Sequence, residues 1–189
     1  MMFEPDTESM PAELRAGVQE QRLRLLVDRL LTLDGVQAER LRSAGVTAGS
    51  ALGLGDLPRL PMTEKKDLWD AYPLRMLGVD RSEVVAFHGS SGTGGRPTLV
   101  GYTRADLRLW ARMCARALVA AGAGPGSVIH NAYGYGLFTG GLGIHQGSES
   151  LLLEFGAQLG RHGLGVRLEH HRPLPERSSH GSGNLISFP

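Results

Sequence analysis

Between Phe87 and Thr103 the chain reads FHGSSGTGGRPTLVGYT, and this run constrains the fold more than any other stretch of the 189 residues. The residues on either side, EVVAFH and TLVGYT, are rich in valine, phenylalanine, leucine and threonine, types that suit a pleated surface. The glycine-rich segment is therefore expected to join one strand to another. Pro97 follows Arg96 and disfavours a helix continuing from it.

Phosphate oxygens are held best by backbone N–H groups and short hydroxyls on a chain that can approach closely and adopt positive φ. Gly89, Gly92, Gly94 and Gly95 permit such a path, Ser90, Ser91, Thr93 and Thr98 supply hydroxyls, and Arg96 supplies charge. A glycine-serine cluster also serves as a plain flexible turn, and glycine content alone leaves both readings open. Known phosphate motifs narrow the choice. A Walker loop needs a glycine six residues before its basic residue and opens a helix, whereas Ser90 stands six before Arg96. The dinucleotide fingerprint also leads into a helix, while this loop leads into TLVGYT. The G-x-S-x-G elbow fails too, because Gly92 is followed by Thr93.

The flanking sequence sets the rest of the architecture. From Pro11 to Leu33 apolar residues recur at helical spacing as Leu14, Val18, Leu25, Leu26, Leu30 and Leu33, with Gly35 as a stop. A shorter helix is expected over Gln37 to Ala44, and another after Thr63 as its cap. TRADLRLWARMCARALVAAG predicts a helix with Thr103 as N-cap and Gly122 as stop. Its inner face is read as Leu107, Trp110, Ala111, Cys114, Ala117, Leu118 and Ala121; Arg104, Arg108, Arg112 and Arg116 form a solvated stripe outside. SVIHNAY reads as a strand, and GYGLFTGGLG as a second glycine-rich turn.

Charge and composition exclude several function classes. With 20 Lys+Arg against 19 Asp+Glu there is no bulk field to recruit nucleic acid or an anionic membrane, so an anion site must be local. No segment approaches a membrane span, and the start lacks a basic-then-apolar signal pattern, so the expected location is cytoplasmic. The single cysteine, Cys114, reads as a small core residue rather than a nucleophile. His88 and His130 read as structural, with no partner ligands at metal spacing. No metal site and no catalytic residue is assigned.

Read in order, Ser90-Ser91-Gly92-Thr93-Gly94-Gly95-Arg96-Pro97-Thr98 resembles the phosphate-binding signature S-S-G-T-T-G-K-P-T of the adenylate-forming enzymes. Gly94 replaces a threonine there, and Arg96 a lysine. VVAFHGSSGTGGRPTLVGYTRADLRLWA, NAYGYGLFTGGLGIHQGSE and LPMTEKKDLWDAYPLRML look like the phenylacetate-CoA ligase branch of that superfamily. The resemblance covers Pro58 to Glu149 well and the N-terminal helices loosely. It implies an α/β fold: N-terminal helices over 1–80, then the first part of the large adenylation domain over 81–147, truncated.

The resemblance implies a two-step reaction. An aryl-acid carboxylate attacks the α-phosphate of ATP to give an acyl adenylate and pyrophosphate, and the thiol of coenzyme A then displaces AMP. The co-substrates implied are ATP, Mg²⁺, coenzyme A and an aryl carboxylic acid; a homodimer is compatible with this reading. Ser90, Ser91, Gly92, Thr93, Gly94, Gly95, Arg96 and Thr98 would hold the ATP phosphates, stabilising charge on the departing pyrophosphate. Tyr133 and Phe138 would be walls of an aryl-acid pocket, although composition alone leaves them equally readable as core aromatics.

After Ser148 the family pattern stops. The stretch 148–189 carries His162, His170, His171 and His180 at spacings that match no closed zinc site. A shifted reading frame in a GC-rich gene would produce such a run of arginine, histidine and proline. The DNA beyond the Glu149 codon tests this: if no one- or two-base shift restores family-like sequence, the idea fails. The 189 residues are accordingly expected to be an inactive N-terminal piece of a ligase; the alternatives are a non-catalytic nucleotide- or aryl-acid-binding module and a truncated gene product without function.

Overall fold

The computed structural model describes residues 1–33, 35–90, 98–132, 139–159, 167–170 and 185–188, and side chains through 153 within these ranges. Among the described residues six α-helices and five strands run in the order α1 (Pro5–Glu8), α2 (Ala12–Leu31), α3 (Val36–Ser43), α4 (Lys65–Asp70), β1 (Ala86–Gly89), β2 (Leu99–Tyr102), α5 (Arg104–Ala120), β3 (Val128–Asn131), α6 (Thr139–Leu159), β4 (Arg167–His170) and β5 (Leu185–Phe188). They sort into two compact units: Ser9–Thr103, and a second formed by Met1–Glu8 with Arg104–Pro189.

In the first unit α2 packs against α3 and the turns that follow it. Val27, Leu41 and Leu52 are buried together, with Leu23, Leu30 and Leu31 against them. The apolar line read from sequence holds only in part: Leu30 packs, whereas Leu14, Leu25 and Leu26 are exposed and Leu23, Val27 and Leu31 complete the stripe that packs. Both stripes share helical spacing, and only the position of α3 chooses between them. Arg24 and Asp28, one turn apart on α2, grip the segment after α3. The Arg24 Nε donates to the Leu52 carbonyl (2.8 Å), and the Gly49 N–H donates to Asp28 Oδ1 (2.6 Å). Gly35 does not end α2; with φ −133° it opens α3. Thr63 is likewise not the cap of α4, whose first residue follows Glu64, with the Glu64 N–H donating to the Asp67 carboxylate (2.7 Å). Arg40 of α3 bridges to that same carboxylate (2.7 Å), fastening α3 to α4.

β1 and β2 are the two strands expected on either side of the glycine-rich segment, and they pair antiparallel, in register Ala86↔Tyr102 to Gly89↔Leu99. Gly101 lets the hairpin seat on the preceding connector. A Cβ there would meet Leu77 Cδ2 at 2.7 Å, Val84 Cγ1 at 3.1 Å and Phe87 Cε1 at 3.3 Å.

Among the described residues the second unit is a parallel sheet with the long helices α5 and α6 and the short α1. β3 lies between β4 and β5, pairing with both in parallel. Its core is Ala115, Leu118, Val119, Ala123, Ile129 and Leu151, with Phe3, Ile144 and Leu152 packed around it. The α5 inner face therefore includes Ala115 and Val119, whereas Ala117 and Ala121 are exposed. Gly122 ends α5 as expected: at φ +103° it lets the Ala123 N–H reach back to the Leu118 carbonyl (2.9 Å). α6 begins at Thr139, so the second half of GYGLFTGGLG is helix rather than turn, and the helix runs on past Ser148 without a break. α5 and α6 meet through small residues: a Cβ on Gly143 would lie 2.9 Å from Trp110 Cζ2, and one on Gly147 2.7 Å from Cys114 Cβ.

The arginine stripe of α5 is not simply solvated. Arg112 pairs with Glu4, and Arg116 Nε lies 3.5 Å from Glu8 Oε1, so the first residues of the chain strap across that helix. Burial pushes the Cys114 thiol above its ordinary range, as befits a packing residue. No described helix is long and apolar enough to cross a membrane.

Candidate functional site: the neck of the glycine-rich loop and the end of strand β3

The hairpin presents its connecting segment between two strands. Gly89↔Leu99 is the last ladder pair, and Ser90 and Thr98 come directly after it. Two hydrogen bonds join them: the Ser90 N–H donates to the Thr98 carbonyl (3.0 Å), and the Thr98 N–H donates to Ser90 Oγ (3.0 Å). In a regular antiparallel rung the second bond would end on a backbone carbonyl. Here the serine hydroxyl takes that place, so the backbone leaves the ladder at Ser90 while remaining tied to Thr98. Ser91, Gly92, Thr93, Gly94, Gly95 and Arg96, the other residues assigned to phosphate, lie outside the described residues.

Just below the neck, the His88 and Tyr102 rings lie 4.7 Å apart, tilted by 44°. His88 is only 5% exposed, and its removal from water holds its pKa below the ordinary value of 6.5. It therefore stays neutral at pH 7, consistent with a structural role. The unfolded chain takes up a proton as pH falls through about 6.5, and the folded hairpin resists doing so. Stability of the first unit is then full above about 6.5 and declines as pH falls below it, by at most about 1.4 kcal/mol per pH unit from this group. His88→Gln is expected to flatten that slope in denaturant titrations between pH 7 and 5. An unchanged slope would mean that His88 titrates alike in both states.

The second set of assigned residues, Tyr133 and Phe138, also lies outside the described residues, in the segment between β3 and α6. Its two ends are described and are tied together. Asn131, the last residue of β3, is 1% exposed, and its Nδ2 donates to the Gly141 carbonyl in the first turn of α6 (2.9 Å). A buried amide is costly unless hydrogen-bonded, so this contact offsets its burial. Sequence reading missed Asn131. The signal was there in the alternation of SVIHNAY, which puts Asn131 on the same face as Ile129, itself fully buried. In open parallel sheets, ligands bind outside the carboxyl ends of the strands, and the 132–138 segment leaves from such an end.

Among the described residues no three His, Cys, Asp or Glu side chains come together as a cation cage. A hard divalent ion here would need ligands from elsewhere, as Mg²⁺ commonly finds in substrate phosphates.

No protein-family model matches the chain. Curated relatives do. The chain is 50% identical over 151 residues to the phenylacetate-coenzyme A ligase of Thermus thermophilus, covering 80% of this chain and 34% of the relative. It is 46% identical over 139 residues to that of Escherichia coli, covering 74% and 32%. The fold agrees. A 2-hydroxyisobutyryl-CoA ligase in complex with 2-HIB-AMP and CoA, in the thioesterification state, superposes with a TM-score of 0.71 at 27% identity, covering 96% of this chain and 35% of that one. An open conformation of the same ligase gives 0.67 at 30% identity, covering 77% and 34%. The chain thus spans about a third of the length of the curated relatives it matches. In sequence it corresponds to the N-terminal part of the phenylacetate-coenzyme A ligases, and its fold is that of the matching part of an adenylate-forming CoA ligase, the 2-hydroxyisobutyryl-CoA ligase.

Proposed function

We propose that the chain carries the ATP-phosphate loop and part of the aryl-acid pocket of an acid-thiol ligase. The reaction served is ATP-dependent activation of a phenylacetate-like acid to an acyl adenylate, followed by thioester formation with coenzyme A. The observation that carries this reading is the placement of 90–98 between two paired strands: the glycine-rich segment leaves one strand and enters the next, rather than opening a helix as a Walker or dinucleotide loop does. Identity of 43–50% to four phenylacetate-coenzyme A ligases supports the substrate class.

In this proposal the loop hydroxyls, its N–H groups and Arg96 stabilise negative charge on the departing pyrophosphate. Gly94 contributes one hydroxyl fewer than a threonine would, and the Arg96 guanidinium is a planar fork in place of a point charge. Mg²⁺ bound to the ATP phosphates would supply further charge neutralisation there. Tyr133 and Phe138 pack against the aryl ring. The proposed setting is the cytoplasm, and a homodimer is compatible with it.

The 189 residues by themselves are proposed to bind nucleotide without turning over, as they correspond to about a third of the relatives. Calorimetry with MgATP and a pyrophosphate-release assay with ATP, Mg²⁺, phenylacetate and coenzyme A test the two halves of this statement. Expected are binding and no release. Sustained pyrophosphate release overturns the claim of inactivity, and absence of binding overturns the phosphate loop.

A further inference from the structure

Resting on that phosphate-loop reading, we infer that Ser90 is a positioning residue that clasps the neck of the loop, its oxygen serving Thr98 before it serves any ligand. Ser90 and Thr98 bracket seven residues, and the pair is closed by one backbone bond and one bond from the Thr98 N–H to Ser90 Oγ, each 3.0 Å. The second bond is unusual for a ladder end because a side chain stands in for a carbonyl. Its consequence is geometric: the Thr98 N–H is taken by Ser90 Oγ rather than by the Ser90 carbonyl, and the two residues that flank 91–97 stay tied to each other.

Closing a loop costs conformational entropy whenever it occurs. If the ends are held before the ligand arrives, that cost is already met and the ligand's contacts appear more fully as affinity. Only a short side chain with an acceptor atom at the γ position fits this role, so alanine abolishes the clasp and threonine preserves it. The Ser90 hydroxyl keeps its own proton while accepting this bond, and a hydroxyl that accepts an N–H is polarised as a donor. Ser90 thereby orders the loop first and has one donor left over.

Hydrogen exchange at the Thr98 amide in the nucleotide-free chain reads the clasp directly, with the β3 amides as a check that the fold is intact. Ser90→Ala is expected to speed Thr98 exchange about five- to tenfold, the range for losing one net hydrogen bond, and Ser90→Thr to restore it. Inorganic pyrophosphate affinity, measured by calorimetry, is expected to follow the same pattern: weaker by a similar factor in Ser90→Ala and recovered in Ser90→Thr. Unchanged Thr98 exchange in Ser90→Ala, with pyrophosphate binding intact in the wild type, overturns the clasp and leaves the phosphate loop standing. Faster exchange with undiminished pyrophosphate affinity overturns the positioning role. A wild-type chain that binds no pyrophosphate overturns the phosphate-loop reading, and the positioning role with it, whatever Thr98 exchange shows.

Discussion

Gly147→Val is expected to destabilise the second unit by about 3 kcal/mol, the upper range for forcing added methyl groups into a packed contact. α5 and α6 approach each other closely at this residue. A Cβ on Gly147 would stand 2.7 Å from Cys114 Cβ and 3.0 Å from the backbone nitrogen of Ala115, so a side chain cannot be accommodated by a rotamer change. The helices must separate, and that separation would also open the contact of fully buried Leu151 with Ala115 and Leu118. For a unit of this size such a loss lowers Tm by roughly 15 °C. Gly147→Ala should fall between the two. Thermal melting with hydrogen exchange on α5 and α6 checks this, and a valine variant that melts with the wild type would mean the helices do not touch here.

Gly49→Ala is expected to produce a comparable loss in the first unit, again about 3 kcal/mol. The conflict is with backbone rather than side chain: the new Cβ would lie 2.1 Å from the Arg24 carbonyl oxygen. Relief requires the 49–51 turn to lift from α2, which breaks the Gly49 N–H to Asp28 bond and the Arg24 bond to Leu52 together. Asp28→Asn removes charge while keeping an acceptor, so it should cost much less. Urea unfolding of both variants gives the comparison; equal midpoints for Gly49→Ala and wild type would show that the turn does not rest on α2.

What could be read from sequence alone was local. The strand-loop-strand unit around Gly89 and Leu99 was legible because glycine, proline and β-branched residues each act on their own few bonds. The extents of α2, α3 and α5 were legible for the same reason. Which stripe of a helix turns inward was not: Leu25 against Val27 on α2, or Ala117 against Ala115 on α5, is decided by a partner that arrives from elsewhere in the chain. Asn131 was hidden because a polar residue in a strand looks solvent-facing until its acceptor, the Gly141 carbonyl, is brought to it by the next helix. The hydroxyls of the loop were legible as a set, but the commitment of one of them to Thr98 depends on the ladder's register.

The strap of Glu4 and Glu8 on α5 bears on the order in which this chain can be made. Glu4 is made before its partner Arg112, which is 108 positions further on, and the whole unit Ser9–Thr103 is synthesised in between. Domains tend to fold as they emerge. The opening residues therefore wait, solvated and unpartnered, while the unit that follows them in sequence completes itself, and they dock only when α5 appears. Anything joined to Met1 is in consequence delivered to the α5 surface at the end of synthesis, rather than to the helices encoded immediately after it.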